Sequence, residues 1–237
     1  MDTSVYAAFA ADTLGVTYNN LNLLITAFTH RSYLNEHKKT VSEHNERLEF
    51  LGDAVLELVV TEYLYASFKD PEGILTNWRS SLVRTESIGA AAAKFEFEPL
   101  LRLSRGEKRG TDRARAQILA NSYEAVVGSL YLDQGYDVAK AFITKSILST
   151  FEEILSSGSW MDPKSHLQEL AQSHDGATPI YKVMNEVGPD HDKIFTVGVY
   201  VNNQLRGQGN GPSKQAGQQK AAEAALKFYQ PAIAETN

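Results

Sequence analysis

The segment Asn45-Glu-Arg-Leu-Glu-Phe-Leu-Gly-Asp-Ala-Val-Leu56 sets three acids, Glu46, Glu49 and Asp53, into an otherwise mostly apolar run. Read as a helix, the spacing i, i+3, i+7 brings the three carboxylates onto one stripe. Leu48, Phe50, Leu51, Val55, Leu58 and Val59 fill most of the remaining circumference, which predicts a buried helix. Acids aligned on a buried helix repel one another and lose hydration, so they require a compensating cation or a proton. A bound divalent metal ion is the most direct compensation. The bland alternative is an ion-pair network with Arg47 or Arg79. Gly52 inside this helix costs about 1 kcal/mol relative to alanine, which points to another helix packed closely against it.

The run Ile118–Asp133 has the same character, with Asn121 and Glu124 one turn apart on a second apolar helix. Packed together, the two helices would gather oxygen donors at one point. All-oxygen ligation selects hard cations such as Mg²⁺ or Mn²⁺. Magnesium usually keeps waters and takes further ligands from a substrate phosphate. The implied chemistry is metal-assisted attack of water on a phosphodiester.

The 237 residues, 43% hydrophobic, suffice for one large domain or two small ones. The absence of cysteine excludes disulfides, thiolate nucleophiles and cysteine–zinc sites. The histidines show no metal-ligand spacing; His30 reads as structural and His44 as flanking a helix start. With neither a signal-peptide pattern nor a membrane-spanning run, a cytoplasmic location without membrane association is expected. The net charge of −6 argues against holding nucleic acid by bulk charge. Residues 162–228 carry seven basic and seven acidic side chains, so the acid excess lies in the part that holds the carboxylate helix.

Helical periodicity recurs at Leu21–Thr29, Asn45–Phe68, Leu75–Lys94, Arg115–Asp133 and Tyr136–Leu155. It predicts an all-α domain over residues 1–155, with a basic, loop-like Arg105–Arg115. Ser156-Ser-Gly-Ser159 opens a linker, 156–162. Beyond it come a helix at Lys164–Ser173 and strands marked by Tyr181, Val183 and Val187, by Phe195–Val201, and near Gln204–Gln208. Asn202-Asn203 joins the last two strands as a tight turn, and an alanine-rich helix, Lys214–Tyr229, closes the chain. The order α-β-β-β-α over 163–232 is a small two-layer α+β domain.

Together these motifs resemble the ribonuclease III family of bacterial type: an all-α endonuclease domain followed by an α+β double-stranded-RNA-binding domain. Asn45–Leu56 looks like the family's signature, Phe28-Thr-His-Arg-Ser32 resembles its early motif, Glu72-Gly73 follows in place, and Ile118–Asp133 resembles its second acidic motif. The resemblance implies a homodimer that cuts both strands of double-stranded RNA in RNA processing, leaving 5′-phosphates and short 3′ overhangs. By it, Glu46, Asp53, Glu124 and Asn121 correspond to the catalytic metal-site positions. Glu49 and Glu72 match secondary acidic positions, and Phe50 matches a residue that packs into the partner subunit. In the tail, Gln168, Glu169 and Gln172 would face one minor groove, and His191 the next. Ser213, Lys214, Gln215 and Gln218 would lie along the phosphates. Few cations stand there, which implies weak binding by the tail alone. The family usually has aspartate where this chain has Asn121. Three readings stay open: an active variant, a substitution that traps substrate, or a member that binds RNA without cutting it.

Overall fold

The computed structural model describes residues 3–158, 160–189 and 193–229. The chain divides into two compact units after Ser156.

The first unit is helical throughout: α1 (Ser4–Phe9, continued by a π-type turn over Ala10–Leu14), α2 (Leu21–Ala27), α3 (Arg31–Glu36), α4 (Glu46–Ser67), α5 (Glu72–Val83), α6 (Thr85–Lys94), α7 (Asp112–Gln134), α8 (Tyr136–Ser146) and α9 (Phe151–Ser157). Helices α4 and α7 carry the two acidic runs and cross at the centre. A Cβ built on Gly52 would lie 1.7 Å from the backbone oxygen of Glu124, and one on Gly128 would lie 2.3 Å from that of Leu48. The two backbones therefore touch where neither helix has a side chain. Around the crossing, Leu56, Val59 and Val60 of α4 and Ala125, Val126, Val127 and Leu130 of α7 are fully buried. Phe9, Phe28 and Phe97 pack edge-to-face beside them, with centroids 5.1–5.5 Å apart.

The early motif Phe28–Ser32 aims α4. Phe28 and Thr29 are buried; the Thr29 carbonyl accepts from Asn45 N at 2.9 Å, at the head of α4. Arg102 N donates to the Phe28 carbonyl at 2.8 Å, and His30 N to the Arg102 carbonyl at 3.1 Å. His30 Nδ1 accepts from Ser32 N and caps α3.

Periodicity misplaced several boundaries. Leu75–Lys94 is two helices, because Arg84 is extended (φ −69°, ψ 153°) and Ser87 Oγ donates to the Ser81 carbonyl at 2.8 Å, taking an acceptor that α5 leaves open. Tyr136–Leu155 breaks after Ser146, whose hydroxyl is held by Phe142 O and Tyr123 OH at 2.6 Å each. Ser156 and Ser157 extend α9. Helix α1, which sends Tyr6 and Phe9 into the core, has no counterpart among the expected elements. Nor is α4 buried all round: Phe50, Leu58 and Tyr65 are exposed, Phe50 at 82%.

The second unit runs α10 (Pro163–Asp175), β1 (Ile180–Val187), β2 (Ile194–Val201), β3 (Gln204–Gly211) and α11 (Lys214–Tyr229). The strands form an antiparallel sheet in the order β1-β2-β3. Asn202 and Asn203, with φ of 50° and 59°, supply the left-handed pair that a two-residue hairpin needs. Leu167, Val199, Ala221, Ala222 and Ala225 make a dry core between sheet and helices.

Gly52→Ala puts a methyl group into backbone that cannot move without parting α4 from α7, and is expected to cost about 3 kcal/mol. Gly73→Ala, with nothing within 4 Å of its Cβ position, should be neutral or slightly stabilising. Urea midpoints of the two variants check the contrast.

Candidate active site

The close crossing sets the flanks of α4 and α7 face to face. Glu49 and Asp53 lie on either side of Gly52, and Glu124 lies one turn before Gly128. Glu49 and Glu124 are half-buried and Asp53 is exposed, so the acids line an open surface and do not sit in a dry interior. That departs from the burial expected of an apolar helix, since the α4 face that carries Phe50 and Leu58 is uncovered.

The acids act strongly on one another. Burial, then the charges of Asp53 and Glu49, push the Glu124 carboxyl up to about 8. Burial also raises Glu49, helped by Glu46 and Asp53 and opposed by a hydrogen bond from the Asn121 side chain. No Lys or Arg among the described residues pairs with Glu49, Asp53 or Glu124. Arg79 pairs instead with Glu57 at 3.1 Å and donates to Thr61 Oγ1 at 3.2 Å, so it does not neutralise the cluster.

Glu46 is placed otherwise than the resemblance suggested. Its carboxylate turns to Arg31 at 3.5 Å and to His44 at 3.9 Å, at the head of α4. It acts on Glu49, while the charges that act on Glu124 are Asp53 and Glu49. The structure thus groups Glu49, not Glu46, with Asp53 and Glu124. The three-residue step from 46 to 49 moves toward α7, whereas position 46 falls where Arg31 of α3 and His44 of the preceding loop reach it. Glu72 stands apart on the first turn of α5, accepting from Thr76 Oγ1 at 3.2 Å and lining a pocket of about 440 Å³ with Tyr65 and Arg79. Asn121 is joined to Gln117, whose Nε2 donates to Asn121 Oδ1 at 2.7 Å. The sequence reading passed over Gln117, although its i, i+4 spacing from Asn121 on a helix was a visible signal.

The donor set suits a hard divalent ion: carboxylate oxygens only, mutually repelling, with the Glu124 carboxyl pushed up to about 8. Among the described residues no three His, Asp or Glu side chains stand close enough together to hold a metal ion as they are placed.

In the second unit, Gln168, Glu169 and Gln172 lie exposed along α10. Ser213 Oγ accepts from Ala216 N at 3.1 Å, so it caps α11. Lys214 Nζ reaches Glu186 at 3.8 Å and lies over the Phe195 ring, and Gln218 accepts from Lys164 Nζ at 2.8 Å. Gln215 is exposed on the first turn of α11. His191 lies outside the described residues.

Comparison with known proteins agrees with this fold. Residues 20–151 match the family described as ribonuclease-III-like, and residues 163–229 match the double-stranded RNA binding motif. The chain is 44% identical to ribonuclease 3 of Enterococcus faecalis, over 90% of this chain and 93% of that protein. It is 42% identical to ribonuclease 3 of Streptococcus gordonii, over 91% and 93%. Among solved structures, the nuclease domain of ribonuclease III from Campylobacter jejuni superposes with a TM-score of 0.55 at 36% identity, covering 61% of this chain and 97% of that one.

A carboxyl raised from 4.5 to about 8 by folding binds a proton in the folded state that the unfolded chain releases across that interval. Stability of the metal-free protein therefore falls as pH rises from about 4.5 to 8. Glu124→Gln removes this penalty. After allowance for solvent screening at the open side, it is expected to stabilise the metal-free chain by about 1–2 kcal/mol at pH 8 and by little at pH 4. Denaturant midpoints at the two pH values check the sign.

Proposed function

The chain belongs to the ribonuclease III family, and from that premise we propose that it is a divalent-metal-dependent endoribonuclease acting on double-stranded RNA in RNA processing. The observation that carries the reading is the uncompensated acid group of Glu49, Asp53 and Glu124 beside the α4–α7 crossing. Residues 1–155 would be the nuclease domain and residues 163–232 the RNA-binding domain. Mg²⁺ is the proposed ion, with Mn²⁺ able to replace it. A bound ion would supply Lewis acidity toward a phosphodiester oxygen and a lowered pKa for water.

The chain's own residues set the stage for that chemistry. Glu49, Asp53 and Glu124 would hold the ion, and Glu124 would give up its proton as it does so, making uptake more favourable at higher pH. Glu46, engaged by Arg31 and His44, stands at the rim of this group, and Glu72 on α5 is a second-rank contributor. The exposed polar face of α10 and the start of α11 would read duplex shape through 2′-hydroxyl and phosphate contacts. Lys214, shared with Glu186, leaves this module weakly basic, so two copies acting together would supply the affinity.

A second copy of the chain is the proposed cover for the open face of α4. Phe50 stands exposed and lines a cleft of about 830 Å³ in which Leu23, Leu48, Leu51 and Leu132 alternate with polar groups such as Glu43 and Arg47. An exposed aromatic beside a cleft of mixed lining on one surface is what a two-fold interface can use. The related Campylobacter jejuni nuclease domain contains a region involved in dimer formation. Among the described residues no helix is long and apolar enough to cross a membrane. Cytoplasmic location is part of the proposal.

A second reading, binding without cleavage, draws on Asn121, which has neither the charge nor the basicity of an aspartate. Incubation with a long RNA duplex and Mg²⁺ decides between the two. The nuclease reading expects short duplexes with 5′-phosphates and 3′ overhangs, abolished by chelator. Glu124→Gln should reduce cleavage by at least about a hundredfold, since losing even an outer partner of a metal ligand costs 10–100-fold. Bound but intact RNA would establish the second reading. For the interface, Phe50→Ser is expected to shift the sedimenting species from dimer toward monomer; an unchanged dimer would refute the proposed contact.

A further inference from the structure

Glu186, near the end of β1, pairs with two lysines that come from different elements. Its Oε2 lies 3.8 Å from Nζ of Lys193, just before β2, and its Oε1 lies 3.8 Å from Nζ of Lys214, the first residue of α11. Phe195 stands opposite Glu186 across the β1–β2 pair, and the Lys214 ammonium lies 5.7 Å from the centre of its ring. One carboxylate therefore serves two cations, and the three groups together carry a single positive charge. Both separations are longer than a direct hydrogen bond, and the three side chains are 31–61% exposed. Ion pairs of this kind are weak, so another anion can displace the carboxylate. The two lysines also stand at the places that the RNA-binding reading sets against the duplex, the β1–β2 connection and the start of α11.

We propose that Glu186 is an internal competitor of the RNA phosphates: its carboxylate occupies Lys193 and Lys214 in the free chain and is displaced from them when a duplex binds. This deepens the RNA-binding reading above and rests on it. Binding then exchanges one anion for another at these lysines, so charge alone brings little net gain from any polyanion. Contacts to 2′-hydroxyls and to the phosphate spacing of an A-form duplex decide what stays bound. Glu186 is in this sense a specificity-determining residue that touches no base and screens out ligands offering charge without shape.

Glu186→Gln keeps the size of the side chain and removes its charge. Fluorescence anisotropy of the full-length protein with a labelled RNA duplex, in chelator so that nothing is cut, measures affinity over a range of salt concentrations. The variant is expected to bind about three- to fivefold more tightly at low salt, the effect of one exposed ion pair. Its slope of log affinity against log salt should steepen by about one per engaged copy of the module. Glu223→Gln makes the same change of charge about 13 Å along α11 from Lys214, beyond the screening length of about 10 Å at 0.1 M salt, and should alter neither quantity. In a Lys214→Gln background the gain from Glu186→Gln should shrink. Thermal midpoints confirm that each variant folds. Unchanged or weaker duplex binding by Glu186→Gln, which would mark a structural staple, overturns the proposal. So does an equal gain from Glu223→Gln, or a gain undiminished without Lys214. If the unsubstituted protein bound no duplex, the RNA-binding reading would fall. Elution from immobilised heparin, a polyanion without duplex shape, would then decide whether Glu186 competes with anions at all: Glu186→Gln should need more salt than Glu223→Gln, and equal salt would overturn it.

Discussion

The backbone contact between α4 and α7 is the constraint on which the rest of the first unit depends. Gly52 and Gly128 leave no side chain at the crossing, so the helices approach until their main chains touch. That approach brings Glu49 and Asp53 up to Glu124, and it does so whether or not a cation is present. The surrounding Leu56, Val59, Val60, Val126, Val127 and Leu130, all fully buried, supply the packing energy that holds acids where their own repulsion would part them. The core thus carries the electrostatic cost of the site, as expected where activity competes with stability.

Three of the four acids have different surroundings. Glu46 has the Arg31 guanidinium and the His44 ring beside it, Glu49 is opposed in its rise by the Asn121 side chain, and burial with the charges of Asp53 and Glu49 pushes the Glu124 carboxyl up to about 8. These differences follow from position along one stripe: the head of α4 is open to neighbouring basic groups, and the crossing is not. The second unit shows a similar balance, with Lys214 reaching Glu186 and Lys164 reaching Gln218. Such a surface favours recognition of duplex shape over attraction by charge.

Much of this was legible in the residues. The two acidic helices, the glycine contact, the α-β-β-β-α order and the Asn202-Asn203 turn all follow from local rules whose signals are strong. Helix breaks at Arg84 and after Ser146 were not legible, because Ser87 and Ser146 act there through side-chain bonds that periodicity does not register. The exposure of Phe50 followed from the resemblance and not from periodicity. Apolar residues right round a helix record every surface it covers, including one that a single chain leaves open. That Arg31 and His44 stand beside Glu46 is a three-dimensional matter that spacing along one helix leaves undecided. Gln117 was overlooked because an exposed glutamine carries no chemistry until its partner is seen.

The central claim is that the α4–α7 crossing builds one site for a divalent ion from Glu49, Asp53 and Glu124. The most direct measurement is anomalous scattering from crystals of the protein grown with Mn²⁺. The account predicts a peak within bonding distance of those three carboxylates. A peak held by Glu46, or no peak at the crossing, would contradict it.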